Sequence, residues 1–65
     1  MKIFIKKEEI DKLIKFNYGR AMIERQMGQN QLNCGDEAGQ LRIDRAQYHE
    51  DTAKCLEALN ELAFK

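Results

Sequence analysis

A chain of 65 residues holds one domain at most, and one this small buries only about 60% of its unfolded surface, so it leans on a staple or a partner. Two cysteines and one histidine are too few for a disulfide framework or for the roughly four ligands of a structural zinc site. Eleven basic residues balance eleven acidic ones, which argues against a uniformly basic surface, and no apolar run reaches the roughly 18 residues of a membrane span.

The first ten residues, MKIFIKKEEI, carry a short apolar run and then charge. The run is too short for a secretory signal core, so we expect a cytoplasmic chain with reduced thiols. Ile3, Phe4 and Ile5 read either as an extended arm or as an extra turn of the helix that follows. If the chain folds back on itself, they would lie near Leu59, Leu62 and Phe64.

The sequence has no Pro, Ser, Val or Trp and a single Thr, while Ala, Leu, Glu, Lys, Gln and Arg abound. That composition favours helix over strand. From Lys6 onward Ile10, Leu13, Ile14, Phe16, Ala21, Ile23 and Met27 recur at helical spacing, with Glu8, Lys12 and Lys15 opposite them. We predict an amphipathic helix over about residues 6–28.

The stretch QMGQNQLNCGDEAG follows, from Gln26 to Gly39. Gly28 falls where the helical period fades, which suggests a helix cap at positive φ, and Asn30, Asn33 and Gly35 are turn residues. Asp36 is expected to cap a second helix and Glu37 to sit in its first turn. Leu32 is expected to tuck under the turn. A ligand loop is a poor fit. The stretch has no GK[ST] ending, no Lys or Arg, no GxGxxG arrangement, and only two acidic residues for calcium. We read it as a turn over about residues 29–35.

From residue 36 to about 64, Leu41, Tyr48, Cys55 and Leu62 repeat every seven residues. Ala38, Arg45, Thr52 and Leu59 hold the companion positions, and Leu56 and Ala63 widen the stripe. The predicted fold is all-α: a two-helix antiparallel hairpin turning near residue 33, self-associating into a dimer or larger bundle. Residues 1–25 carry 7 − 4 = +3 charges and residues 26–65 carry 4 − 7 = −3, so the two helices complement each other.

The cluster QYHEDTAKC resembles a catalytic or metal site only on paper. On a helix, His49 shares its face with Arg45, Ala46, Thr52 and Ala53, not with a carboxylate or thiol. We read His49 as a satisfied or solvent-edge histidine, Cys55 as a small core residue and Cys34 as a turn residue. No catalytic constellation, metal set or cofactor motif emerges, and we expect a protein that is not an enzyme.

Polar residues inside the apolar stripes say more. Asn17, Arg20 and Glu24 lie mid-stripe on the first helix and Arg45 on the second. In a hairpin folded near residue 33, Glu24 falls opposite residues 42–46. We therefore expect a semi-buried Arg20–Glu24–Arg45 network with Asn17 and Tyr48 beside it. Its role is either to fix helix register or to hold an anionic ligand. Tyr18 and Met22 stand off the main stripe beside Gly19, as Ile43, Ala46, Ala53 and Phe64 do on the second helix, and such groups mark a second contact surface.

Three functions fit these features. The first is a non-enzymatic interaction protein, a self-associating hairpin that binds and modulates or inhibits a partner protein, as small phage and mobile-element proteins do to host factors. Tyr18, Met22, Ile43, Lys12 and Lys15 would form its outer surface. The second is an oligomeric binder of a small nucleotide-type anion at a subunit interface, through Asn17, Arg20, Arg45 and Tyr48. The third is RNA or DNA binding by a four-helix bundle, through Lys7, Lys12, Lys15 and Arg25 with Tyr18 among them. In shape alone, without a shared motif, this outline is similar to the plasmid RNA-binding hairpin proteins.

Overall fold

Two long helices account for nearly all of the computed structural model, which describes residues 5–64. Helix α1 spans Lys7–Asn33 and α2 spans Gly39–Ala63, and there is no strand among the described residues. Ile3 and Phe4 lie outside the described residues, and Ile5 is exposed.

Helix α1 begins with Glu8 and Glu9 in its first turn, where the helix dipole favours negative charge. Lys7 and Asp11 add an ion pair one turn apart at 3.0 Å. The helix does not stop at Gly28. It runs on to Asn33, because Gln29, Asn30, Gln31 and Leu32 carry no breaker and the glycine is tolerated inside. Gly35, at φ 82°, ends it. The Asp36 amide donates to Gln31 O at 2.8 Å and the Gly35 amide to Leu32 O at 3.0 Å. That pair of bonds closes the last carbonyls in a Schellman motif, for which glycine is favoured at the left-handed position.

Asp36 serves the connection rather than the first residue of α2. Its Oδ1 accepts from the Ala38 amide at 3.0 Å, and its backbone carbonyl accepts from Gly39. Glu37 belongs to this turn, not to the first turn of α2. Leu32 is half-buried, as expected of a side chain under the turn.

The helices run antiparallel. Gly28 meets Gly39 next to the turn, Asn17 meets His49 midway, and Asp11 meets Asn60 at the open end. The result is a rod of 48 × 17 × 16 Å. Its seam mixes large and small residues on α1 and is lined by small ones on α2. On α1 it uses Ile10, Asn17 and Glu24, then Ala21 and Gly28; on α2 it uses Gly39, Ala46 and Ala53, with Arg42, His49, Leu56 and Asn60 half-buried beside them. Among the described residues Ile10 alone is a large side chain wholly enclosed. At the turn end the backbones nearly touch. A Cβ on Gly28 would lie 2.6 Å from Gly39 O, and one on Gly39 would collide with Gly28 O.

The seam therefore differs from the expected one. Leu41, Tyr48, Cys55 and Leu62, predicted to close the hairpin, are all exposed. Ala46 and Ala53, predicted to lie off the stripe, are the buried pair. Helix α2 carries two seven-residue repeats, one large and one small, and the helices close on the small one because it lets their axes approach. Ile43, assigned to the outer surface, is half-buried near Gly28 for the same reason.

Candidate interaction surface

The seam divides the rod into two flanks of different character. On one flank, polar contacts bridge the helices. The Tyr18 hydroxyl donates to Glu57 Oε1, and Arg25 pairs with Glu50 at 3.2 Å. The contact with Glu57, together with partial desolvation, holds the Tyr18 pKa above its ordinary 10.0. Around the Arg25–Glu50 pair lies an open groove of about 450 Å³ lined by Tyr18, Ala21, Met22, Arg25, Gln29 and Glu50, among others. Tyr18 and Met22 are exposed here, as the sequence suggested, and Lys12 and Lys15 are exposed on the outer side of α1.

Large apolar side chains are exposed elsewhere on the rod. Leu13, Phe16, Ile23 and Met27 stand exposed along α1 on the side away from Tyr18, and Leu41, Tyr48 and Leu62 along the back of α2, two residues beyond seam positions and so turned away from α1. Phe16, Tyr48 and Leu62 are 58%, 70% and 82% exposed, so these side chains contribute little to the hairpin itself. The two rows are joined across the rod by His49. Its ring meets Phe16 edge-on at 6.5 Å and Tyr48 at 6.0 Å between centroids. Arg42 likewise reaches across, with Nη1 at 3.9 Å from Met27 Sδ.

Beneath this face lies the polar network, with one member changed. Glu24 is 2% exposed and takes Arg20 at 2.7 Å and Arg42 at 3.2 Å. Arg45, the expected third member, is exposed and makes no ion pair among the described residues. The correction follows from the seam: with Ala46 turned inward, Arg42 lies over Glu24 and Arg45 points toward the outer row. Asn17 is buried and bonds His49, whereas Tyr48, expected close to the network, is 70% exposed. Asn17 Nδ2 donates to Leu13 O at 2.8 Å, and its Oδ1 lies 2.9 Å from His49 Nδ1. Since that oxygen can only accept, His49 Nδ1 donates. His49 Nδ1 is thus satisfied across the seam.

Arg42 and His49 are the residues the sequence reasoning passed over. A signal existed. Folding near residue 33 pairs 24 with 42 and 17 with 49, so the fold-back point alone identifies both partners. The large-residue stripe drew attention to Arg45 and Tyr48 instead.

Cys55, predicted as core, is an exposed thiol on α2, two residues beyond the seam residue Ala53, and Cys34 is an exposed thiol in the turn. Among the described residues no group of His, Cys, Asp and Glu could hold a metal, and no helix is long and apolar enough to cross a membrane. No protein-family model matches the chain, and neither curated proteins nor solved structures yield a match.

Proposed function

We propose that this chain is a small non-enzymatic interaction protein: a helical hairpin that self-associates and, in that form, binds and modulates a partner protein. The observation that carries this reading is the number of large apolar side chains left exposed, Leu13, Phe16, Ile23 and Met27 on α1 and Leu41, Tyr48 and Leu62 on the back of α2, while α2 turns only Gly39, Ala46 and Ala53 fully inward. A chain this small that leaves so many large apolar side chains in water gains from covering them with a partner. The groove by Tyr18 and Met22 offers a second, more polar surface for a different partner. Light-scattering mass across a concentration series, together with recovery of bound protein from source cells by wild type and by Met22→Glu, tests the reading. A monomer at every concentration that retains no protein would overturn it.

A specific observation favours anion capture as the second reading. Arg20 and Arg42 share one carboxylate, and Arg45 has none, on a face that also presents Tyr48. An excess of guanidinium near an apolar surface suits a phosphate-bearing ligand. Nucleotides that raise the melting temperature of wild type but not of Arg45→Ala would support it; no stabilisation by any nucleotide would remove it. The nucleic-acid reading is weaker, because two of its four cations, Lys7 and Arg25, are already paired with Asp11 and Glu50.

A further inference from the structure

We infer that the side of the hairpin where Phe16 meets His49 is a docking groove for an acidic amphipathic helix of a partner protein. The inference rests on the proposal of an interaction protein and names the chemistry of the partner's segment.

Contacts across the seam make this side one surface. Phe16 and His49 meet at 6.5 Å between ring centroids, and Arg42 reaches Met27 Sδ at 3.9 Å. The Tyr18–Glu57 and Arg25–Glu50 bridges lie on the other side of the seam. Each helix brings one row of side chains to the shared surface. On α1 the row is Leu13, Phe16, Arg20, Ile23 and Met27. On α2 it is Arg42, Arg45, His49, Thr52, Leu56 and Leu59. Both rows advance by alternate steps of three and four residues, the spacing that keeps side chains turned toward one facing helix. Every member of the α2 row except Arg45 is half-buried, and the large apolar members of the α1 row are exposed. Two such rows along a seam form a furrow, and a third helix fills it by laying an apolar face between them.

Charge selects the helix. The two rows hold three arginines and no carboxylate. Glu24 lies enclosed beneath them and serves two of the three, while Arg45 makes no ion pair among the described residues. The side chains of Arg20 and Arg42 remain 43% and 32% exposed, so both keep donors for a second carboxylate. Glu9 stands in line with the α1 row but one turn before Leu13, at the opposite end from Arg42 and Arg45. The arginines run from the middle of the rod toward the turn, and Leu13, Leu56 and Leu59 lie toward the open end. A matching helix therefore carries an apolar stripe along its length and Asp or Glu beside it in one half. A lysine-rich helix would set like charges together. Two copies of this chain laid face to face would offer the arginines no carboxylate from these rows. A nucleic acid would leave the apolar members unused.

Fluorescence anisotropy with two labelled synthetic helices of about 18 residues, or five turns, tests the groove on the full chain. Both repeat leucine at the spacing of the rows; one carries Glu beside the stripe in one half, and the other carries Lys there. The wild type should bind the Glu peptide at least about tenfold more tightly than the Lys peptide, with the preference shrinking as salt rises. Arg45→Glu should weaken Glu-peptide binding by about tenfold, and Met22→Glu, across the seam, should leave it unchanged. Arg45→Ala takes the place of Arg45→Glu if the latter loses its helical circular dichroism. Equal affinity for both peptides, binding of neither, or an equal loss in Met22→Glu would overturn the groove. Tighter binding of phosphatidylserine vesicles or a nucleotide, lost in Arg45→Glu, would give the face to phosphate and overturn it. An assembled wild type that Arg45→Glu breaks into monomers would give it to a second copy and overturn it. Failure of the peptides alone leaves the interaction-protein reading standing, since that reading is decided by light scattering and recovery from source cells.

Discussion

Gly19 and Gly28 lie in the same helix and should respond to the same substitution in opposite directions. Alanine in place of an interior helical glycine gains about 1 kcal/mol from backbone propensity alone. At Gly19 nothing lies within 4 Å of the added Cβ, so Gly19→Ala should realise that gain. At Gly28 the new methyl would sit 2.6 Å from Gly39 O, 2.9 Å from Ile43 Cγ1 and 3.0 Å from Arg42 Cβ. The first contact is about 0.8 Å short of the 3.4 Å at which ordinary packing begins. Overpacking costs about 1–3 kcal/mol, and the upper end applies because a helix carbonyl cannot swing aside as a side chain can. Subtracting the propensity gain leaves Gly28→Ala destabilised by about 2 kcal/mol. For a domain of this size that is a fall in Tm of about 10 °C, against a rise of about 5 °C for Gly19→Ala. Thermal circular dichroism at matched protein concentration measures both, the matching being essential for a chain that associates. A Gly28→Ala protein as stable as Gly19→Ala would refute the close crossing of α1 and α2 at the turn.

Other substitutions probe the polar seam. Glu24→Ala removes a nearly enclosed carboxylate but leaves two guanidiniums that can reach water, so we expect a loss of about 2 kcal/mol in urea unfolding, below the value for a fully buried pair. Arg42→Ala should cost about 1 kcal/mol and Arg45→Ala less than about 0.5 kcal/mol; equal losses would mean that Arg45, not Arg42, completes the network. Asn17→Ala and His49→Ala, combined in a double-mutant cycle, should show a coupling of about 1 kcal/mol, and strict additivity would rule out the 2.9 Å bond between them. In a Tyr48→Phe background, phenolate absorbance should place the Tyr18 ionisation above 10.0 and Glu57→Ala should lower it. Because the folded value is the raised one, the contact stabilises the fold below the unfolded pKa and is lost as pH rises through the folded one. Asp11 runs the other way. Its pKa is lowered from 3.8 chiefly by the Lys7 hydrogen bond, so its contribution is present above the unfolded value and lost as pH falls through the folded one.

The helical hairpin was legible in the sequence because its causes are local. Helix-favouring composition, absence of proline and a glycine-bearing polar stretch suffice to give two helices and a fold-back near residue 33. Charge complementarity of the halves suits their antiparallel course. The choice of face was not legible, and the reason is physical. Hydrophobic periodicity ranks Leu41 and Tyr48 above Gly39, Ala46 and Ala53, yet close helix approach selects for small side chains. The gain comes from dispersion between backbones that hydropathy does not register. One misjudged rotation of α2 then propagated to Arg45, Ile43 and Cys55 together. The cap expected at Gly28 falls at Gly35 for a related reason: a glycine at a helix crossing and a glycine at a helix end look alike in a sequence. The exposed positions of Tyr18, Met22, Lys12 and Lys15 were legible, since they lie far from either stripe.

The crossing glycines also make the two ends of the rod unequal. Next to the turn, backbone meets backbone, and the Schellman bonds and the Asp36 carboxylate hold the connection. At the far end the contact is between side chains: Ile10 is enclosed and Asn60 Nδ2 donates to Asp11 Oδ1, with no backbone-to-backbone approach like that of Gly28 and Gly39. Breathing motions of the protomer therefore start where the termini lie and travel toward the turn, like shears opening about a rivet. Amide protons in the last turns of α2 exchange first and those flanking Gly28 last. The chain can thus splay its free tips, presenting more of each helix to a visitor, without surrendering the pivot that lets it close again.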